Sequence, residues 1–279
     1  MTKQLGPLPD FTNPPVAEVA LSLQFEIIEG LRTAHLGLLW GEFRATLPKV
    51  EEQAPLNTGI EEFDIRPVSA PRVRIEAFDA PPVPRLWFLD ERGMELIQVQ
   101  QDRFINNWRR VGQGVEYPRY HYIRDAFSKR LNVFRNFLSR EELGDVAPTQ
   151  CEITYVNHID LAEGHESHGR AESVVTVWKN DYSDAFLPEA EDVGFRARYV
   201  IRGAEGEPLG RLHVTNQPAF KKVGEKPIFV LTLTARGKPL GGGLRGAYEF
   251  FELGHEWIVR GFASVTTRRM HEMWGRKDA

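Results

Sequence analysis

The sequence holds one cysteine, Cys151, so it can form no disulfide within the chain and no cysteine-based zinc cluster. It contains no run of eighteen apolar residues, and a membrane-spanning helix is therefore not expected. The opening stretch MTKQLGPLPDFTNPPVAEV lacks an apolar core of the signal-peptide type. Ser173 and Ser264 stand outside any nucleophile-elbow context, and Cys151 in TQCEITYV reads as an ordinary strand residue, so covalent catalysis is set aside. No parallel strand–helix–strand series recurs, which argues against a dinucleotide-binding fold. These absences point to a protein of the cytoplasm with no membrane partner.

What is present is ordinary in bulk and uneven in detail. Hydrophobic residues make up 42% and charged residues 27% of the 279, enough to bury a sizeable core. The net charge is only −4, but it is unevenly spread. From Arg103 to Arg140, nine Lys and Arg face only Glu116 and Asp125, a net of +7. From Glu141 to Asp192, thirteen Asp and Glu face only Arg170 and Lys179, a net of −11. Adjacent blocks of opposite sign suggest either an anionic partner or surfaces that answer each other within the fold or between subunits; the second is the leading expectation.

Residues 1–15 are polar and proline-rich and read as an extended arm. PPVAEVALSLQFEI reads as a strand, LRTAHLGLLWGEFRATLP as a helix ending at Pro48, and 49–70 as loop. PRVRIEAFD, with Val73, Ile75 and Ala77 on one side, is a strand candidate. RLWFLDERGMELIQVQ reads as a hairpin whose second strand continues through VQQDRFINNW, with a bulge at Asn106–Asn107. From Pro118 to Gly144, Tyr120, Ile123, Phe127, Leu131, Phe134 and Leu138 mark an amphipathic helix. In the second half TQCEITYVNHID, ESVVTVW, FRARYVIRG, GRLHVTNQPAF and PIFVLTLTARG read as strands. A last helix is expected over 244–273, with Gly254 and Gly261 on its buried stripe allowing close approach. The fold class is α+β: antiparallel sheet packed on long α-helices, forming one unit over 16–275. The order of elements further suggests two similar halves, 16–144 and 145–275.

Four stretches, NPPVAEVALSLQF, QQDRFINNWRR, YPRYHYIRDAF and EITYVNHI, together resemble an uncharacterised, sporadically distributed bacterial protein family of about 260–280 residues. The features that carry the resemblance are Pro-Pro-Val with Glu18, Asn107-Trp108-Arg109, Tyr117-Pro118 with Tyr120, and Glu152 through Asn157; Phe262 and Trp274 fit less specifically. The resemblance spans about residues 13–275. It implies no established activity. A sporadic family suggests horizontally acquired genes of the defence or toxin–antitoxin kind, and this is analogy only.

Several groups could carry function. Arg103, Trp108, Arg109 and Arg110, with Arg119 and Tyr120 following, could bind an anion or stack nucleic-acid bases. The alternative is that Phe104 and Trp108 are core and the arginines form ion pairs. His158 and Asp160 are two apart, so on a strand they share a face and would be the acid/base pair of any enzyme. With His165 and His168 they form the only metal set the sequence suggests, although their spacing matches no established motif. Three glycines before the last helix, with Arg245, could meet an anion, but a turn is the commoner use. Trp40, Trp87, Trp178, Trp257 and Trp274 stand at core-like positions, and some could line a pocket between sheet and helix. No cofactor is expected. The leading functional expectation is a non-enzymatic binding or interaction protein that acts through protein contacts or a ligand pocket and self-associates. The alternatives are a nucleic-acid-associated factor using the 103–140 surface and a metal-dependent hydrolase centred on His158 and Asp160.

Overall fold

In the computed structural model, residues 6–57, 59–63, 83–112, 114–161, 167–182, 184, 186–221 and 223–277 are described. Among these residues, nine strands form one antiparallel sheet. In chain order they are β1 Val16–Phe25, β2 Lys49–Gln53, β3 Arg85–Leu89, β4 Glu95–Gln100, β5 Arg103–Arg109, β6 Pro148–Asp160, β7 Phe195–Arg202, β8 Pro208–Phe220 and β9 Pro227–Gly237. Their order across the sheet is β2-β3-β4-β5-β1-β6-β9-β8-β7. The described helices are α1 Thr33–Phe43, α2 Tyr120–Arg140, α3 Gly243–Val265 and α4 Arg268–Met273. None of them is long and apolar enough to cross a membrane.

Alternation along each strand decides which side chains enter the core. On β1, Val19, Leu21, Leu23 and Phe25 are buried on the helix-covered face, opposite Trp108 and Phe104 of β5 on one side and Ile153 and Tyr155 of β6 on the other. The stripe on α2 (Tyr120, Ile123, Phe127, Leu131, Phe134, Leu138) is buried as its spacing requires. Phe104 stacks on Phe134 with ring centres 5.5 Å apart, and Phe127 meets Phe251 of α3 edge-on at 5.2 Å. Two helices and the centre of the sheet thus share one core.

β1 pairs with β5, the last strand of a meander that leads into α2. β6 pairs with β9, the last strand of a meander that leads into α3. β1 and β6 then pair with each other in the middle of the sheet.

The structure corrects several expectations. The helices are shorter than the sequence pattern suggested. The last one ends at Val265 rather than continuing to 273, because the segment 174–176 takes over its backbone bonds: Thr176 N–H donates to Val265 O (2.9 Å) and Thr267 N–H to Val174 O (2.9 Å). Thr266 is drawn into an extended conformation, and Thr267 caps the separate helix α4. For the same reason ESVVTVW is no strand of the sheet; it is a short 3-10 turn at Ala171–Ser173 and one bridge from Val175 to Thr266. Lys49–Gln53, expected as loop, is an edge strand pairing with β3; its charged residues hide the signal and suit an edge. VQQDRFINNW is two strands joined by a turn at Gln101–Asp102, and Asn106 and Asn107 keep regular register with no bulge. The strand candidate PRVRIEAFD lies outside the described residues.

Candidate ligand cavity

The most chemically distinctive site is a cavity of about 500 Å³ between the centre of the sheet, the start of α2 and the middle of α3. Tyr155 and Asn157 reach it because inward positions on β6 alternate as Cys151, Ile153, Tyr155, Asn157 and Ile159. Tyr117, Arg119 and Tyr120 come from the turn into α2; His255, Ile258, Val259 and Phe262 recur along one side of α3. The N-terminal arm supplies Leu8 to Phe11 and Pro14. The arm is held against the C-terminal tail: Thr12 N–H donates to Gly275 O (3.0 Å), Asn13 N–H to Trp274 O (3.0 Å) and Lys277 N–H to Asp10 O (2.9 Å). Phe11 packs edge-on against Phe262, 5.6 Å between ring centres, which fixes the wall.

A chain of polar groups runs along the cavity. The hydroxyls of Tyr117 and Tyr155 are 2.9 Å apart, and the Tyr155 hydroxyl is 3.0 Å from His255 Nδ1. Tyr120 lies flat on the His255 ring, and its hydroxyl donates to Glu252 Oε1 (3.1 Å), which also accepts from Arg124 Nη1 (2.9 Å). Trp108 backs Tyr117 at 5.6 Å. Burial pushes the Tyr117 hydroxyl up to about 12 and holds Tyr155 well above its ordinary value. Burial also lowers His255 to about 4 against the opposing pull of Glu252, so the imidazole is neutral at pH 7. A neutral imidazole has one donor and one acceptor nitrogen. Nδ1 is committed to Tyr155, and Nε2 has no partner among the described residues.

The mouth carries charge. Arg119 Nη1 donates to Asp10 Oδ1 (2.9 Å) and Nη2 to Phe11 O (3.2 Å), while Lys277 Nζ donates to Asp10 Oδ2 (2.9 Å). Arg119 has φ 75° and ψ 157°, a region that disfavours any side chain. Such strain is held in place here by the Asp10 and Phe11 contacts.

Of the residues singled out in the sequence, Arg119 and Tyr120 line this cavity, and Trp108 is buried behind Tyr117. The others go elsewhere. Arg103 and Arg109 point to the opposite face of the sheet: Arg103 Nη2 donates to Gln24 Oε1 (2.7 Å), and the Arg109 guanidinium lies 5.5 Å from the Trp87 ring centre. Arg110 is exposed and donates to Pro14 O (3.3 Å). Arg245 is 93% exposed and pairs with Glu249 one helical turn on. The QQDRFINNWRR stretch is thus a strand with Phe104, Asn106 and Trp108 on the helix side. Asn106 accepts from Arg130 (2.6 Å), and Asn107 donates to Glu18 (2.6 Å).

Within the chain, among the described residues, the two charge blocks meet only at their junction, through Arg135 with Asp145 and Arg140 with Glu141. Arg119, Arg124, Arg130 and Arg140 find Asp10, Glu252, Glu95 and Glu42, because register and helix packing bring these carboxylates closer.

His158 and Asp160 do share the outer face of β6, and both are exposed. Asp160 pairs with Lys221. Partial desolvation of its ring by the surrounding surface, followed by the nearby Lys221, lowers His158. His168 is buried with Nε2 3.0 Å from both Ala219 O and Ile228 O, a structural commitment rather than a ligand position. His165 lies outside the described residues. Among the described residues no three His, Cys, Asp or Glu side chains group to hold a metal.

Sequence reasoning missed Tyr117, Tyr155 and His255 as site residues, although Tyr117 and Tyr155 stand in the stretches that carry the family resemblance. The signal for Tyr155 was an inward strand set containing polar-tipped residues; for His255 it was a histidine beside the buried stripe of α3. No family model and no curated protein matches the chain.

Proposed function

We propose that this is a non-catalytic binding protein whose ligand enters the cavity between α2, α3 and β6. The observation that carries the reading is the Tyr117–Tyr155–His255 chain, centred on the buried Tyr155, which ends at an imidazole nitrogen with no partner among the described residues, in a cavity lined by Phe11, Ile258, Val259 and Phe262 as well. Ligand sites typically combine such walls with a few placed polar groups, in volumes of about 300–1,000 Å³. The ligand class is a compact, mostly apolar or aromatic molecule with one hydrogen-bonding group for His255.

Two further elements support this reading. The repeated strand–meander–helix order favours an internal duplication, with Tyr117 and Tyr120 from one half and Tyr155 and His255 from the other. The family resemblance is proposed on the same footing, since Tyr117, Tyr120 and Tyr155 all belong to the stretches that carry it. The nucleic-acid reading has less support, because its residues divide between the two faces of the sheet.

The test uses 1-anilinonaphthalene-8-sulfonate, an aromatic probe small enough for the cavity, with native protein. One saturable site is expected, and Val259→Trp, which fills the cavity, should weaken it at least tenfold while circular dichroism is unchanged. Unaltered probe binding in a folded Val259→Trp protein rejects the reading.

A further inference from the structure

The face of the sheet opposite the helices is polar yet partly buried. Gln24, Gln98, Gln100, Asn107 and Gln150 all point to it and are each less than a tenth exposed. What covers several of them is the chain itself, in residues 54–57 and 59–63, which run across the strands rather than along them. Leu56 N–H donates to Gln100 Oε1 (2.9 Å), and Gln100 Nε2 returns a bond to Leu56 O (3.1 Å). Arg103 Nη2 donates to Asn57 O (3.1 Å). Gln150 Nε2 donates to Gly59 O, and Gln150 Oε1 accepts from Glu61 N–H (2.6 Å). Two glutamine amides therefore each grip one donor and one acceptor of the crossing backbone. Such contacts read main chain and are indifferent to side chains.

The side chain that is read is Glu61. Its carboxylate meets Arg211, His213 Nε2 (2.9 Å) and, at 4.0 Å, Arg236. Burial alone would raise Glu61, but the hydrogen bonds from His213 and Arg211 outweigh it and hold the group at about 2. Arg211 also donates to Glu62 O (2.7 Å) and covers the Phe63 ring at 4.5 Å.

The crossing segment is otherwise weakly held. Ile60 is 54% exposed, and Glu61 is the only described residue from 54 to 63 that is buried. A segment with few buried apolar contacts opens at low cost. The surface beneath it is incompletely matched: Arg103 Nε and Gln24 Nε2 are buried without partners among the described residues, beside a small void of about 50 Å³. The same cationic end continues into an open hollow of about 540 Å³, lined by Arg196, His213, Thr215, Gln217, Thr234 and Arg236, which the segment leaves unfilled.

We propose that this polar face is a docking groove for an extended acidic polypeptide of a partner protein, and that residues 54–57 and 59–63 occupy it in the resting chain as an internal stand-in. The partner segment lies across the strands, offers its main chain to Gln100 and Gln150, and places a Glu or Asp on Arg211, His213 and Arg236. Further acidic residues enter the hollow beside Arg196. The inference is independent of the ligand cavity, which lies on the other side of the sheet.

The experiment is fluorescence anisotropy with a labelled synthetic peptide of residues 54–63 added to the full chain. A tethered segment competes at an effective concentration near the millimolar range, so the unmodified protein should bind the peptide weakly. Glu61→Gln weakens the internal competitor and should bind the peptide at least tenfold more tightly. A second protein, with 55–62 replaced by a Gly-Ser linker of equal length, should do the same. The peptide with Gln in place of its first Glu should bind both proteins at least tenfold more weakly. The proposal is overturned if both folded variants bind no better than the parent. It is equally overturned if the Gln peptide binds as well, or if a ten-nucleotide single-stranded DNA binds the opened face more tightly than the peptide.

Discussion

The imidazole of His255 lies flat against the ring of Tyr120, with centres 3.9 Å apart and planes 8° from parallel. Tyr120 belongs to the first turn of α2, and His255 lies on α3. The stack therefore ties the two main helices together at the edge of the cavity, and it buries an imidazole that must stay neutral to remain there.

This sets a pH dependence. His255 has a folded value of about 4, below the ordinary 6.5. Below 6.5 the unfolded chain binds the proton more readily than the folded one, so stability falls as the pH drops from 6.5 towards 4. The full effect is on the order of 3 kcal/mol, because each tenfold drop in proton affinity corresponds to about 1.4 kcal/mol. Denaturant titrations at pH 7 and pH 4.5 should show a loss that is smaller in His255→Gln. The depressed carboxylates Glu61, Asp10 and Asp145 act lower, below about 4.5. An equal loss in both proteins between pH 7 and 4.5 would mean that His255 is not the sensor.

Arg119 supplies a test of backbone strain. Its φ of 75° favours glycine, and such a conformation costs a side-chain-bearing residue about 1–3 kcal/mol. Arg119→Ala and Arg119→Gly lose the same partly exposed pair with Asp10. Only glycine relieves the strain, so Arg119→Gly should exceed Arg119→Ala in stability by roughly 1–3 kcal/mol in urea unfolding. Equal stabilities would show that the turn relaxes once the side chain is gone.

The glycines of α3 should differ from one another. A Cβ on Gly254 would come within 2.7 Å of Ile153 Cγ2 and 3.1 Å of Ala235 Cβ, both fixed on the sheet. A Cβ on Gly261 meets the end of the Leu212 side chain at 2.7 Å, which can turn away. Alanine favours a helix over glycine by about 1 kcal/mol. Gly261→Ala should therefore be near neutral, and Gly254→Ala should lose about 1–2 kcal/mol through overpacking. Thermal melts of the two variants side by side decide it.

The sequence alone determined what local periodicity carries. The strands at β1, β6 and β9, the α2 stripe from Tyr120 to Leu138 and the α+β class with an antiparallel sheet all follow from residues close in the chain, because alternation and helical spacing are local. Arg119 and Tyr120 were visible as candidates for the same reason, a cation beside an aromatic at a helix start. Tertiary structure alone decided the rest. Hydrogen bonds from 174–176 ended α3 at Val265, and strand register sent Arg103 and Arg109 to the face away from Arg119. The pairing of β1 with both β5 and β6 brought Tyr117, Tyr155 and His255 together across more than a hundred residues of chain. No spacing rule encodes that meeting, because burial and register act between segments that the sequence order keeps apart.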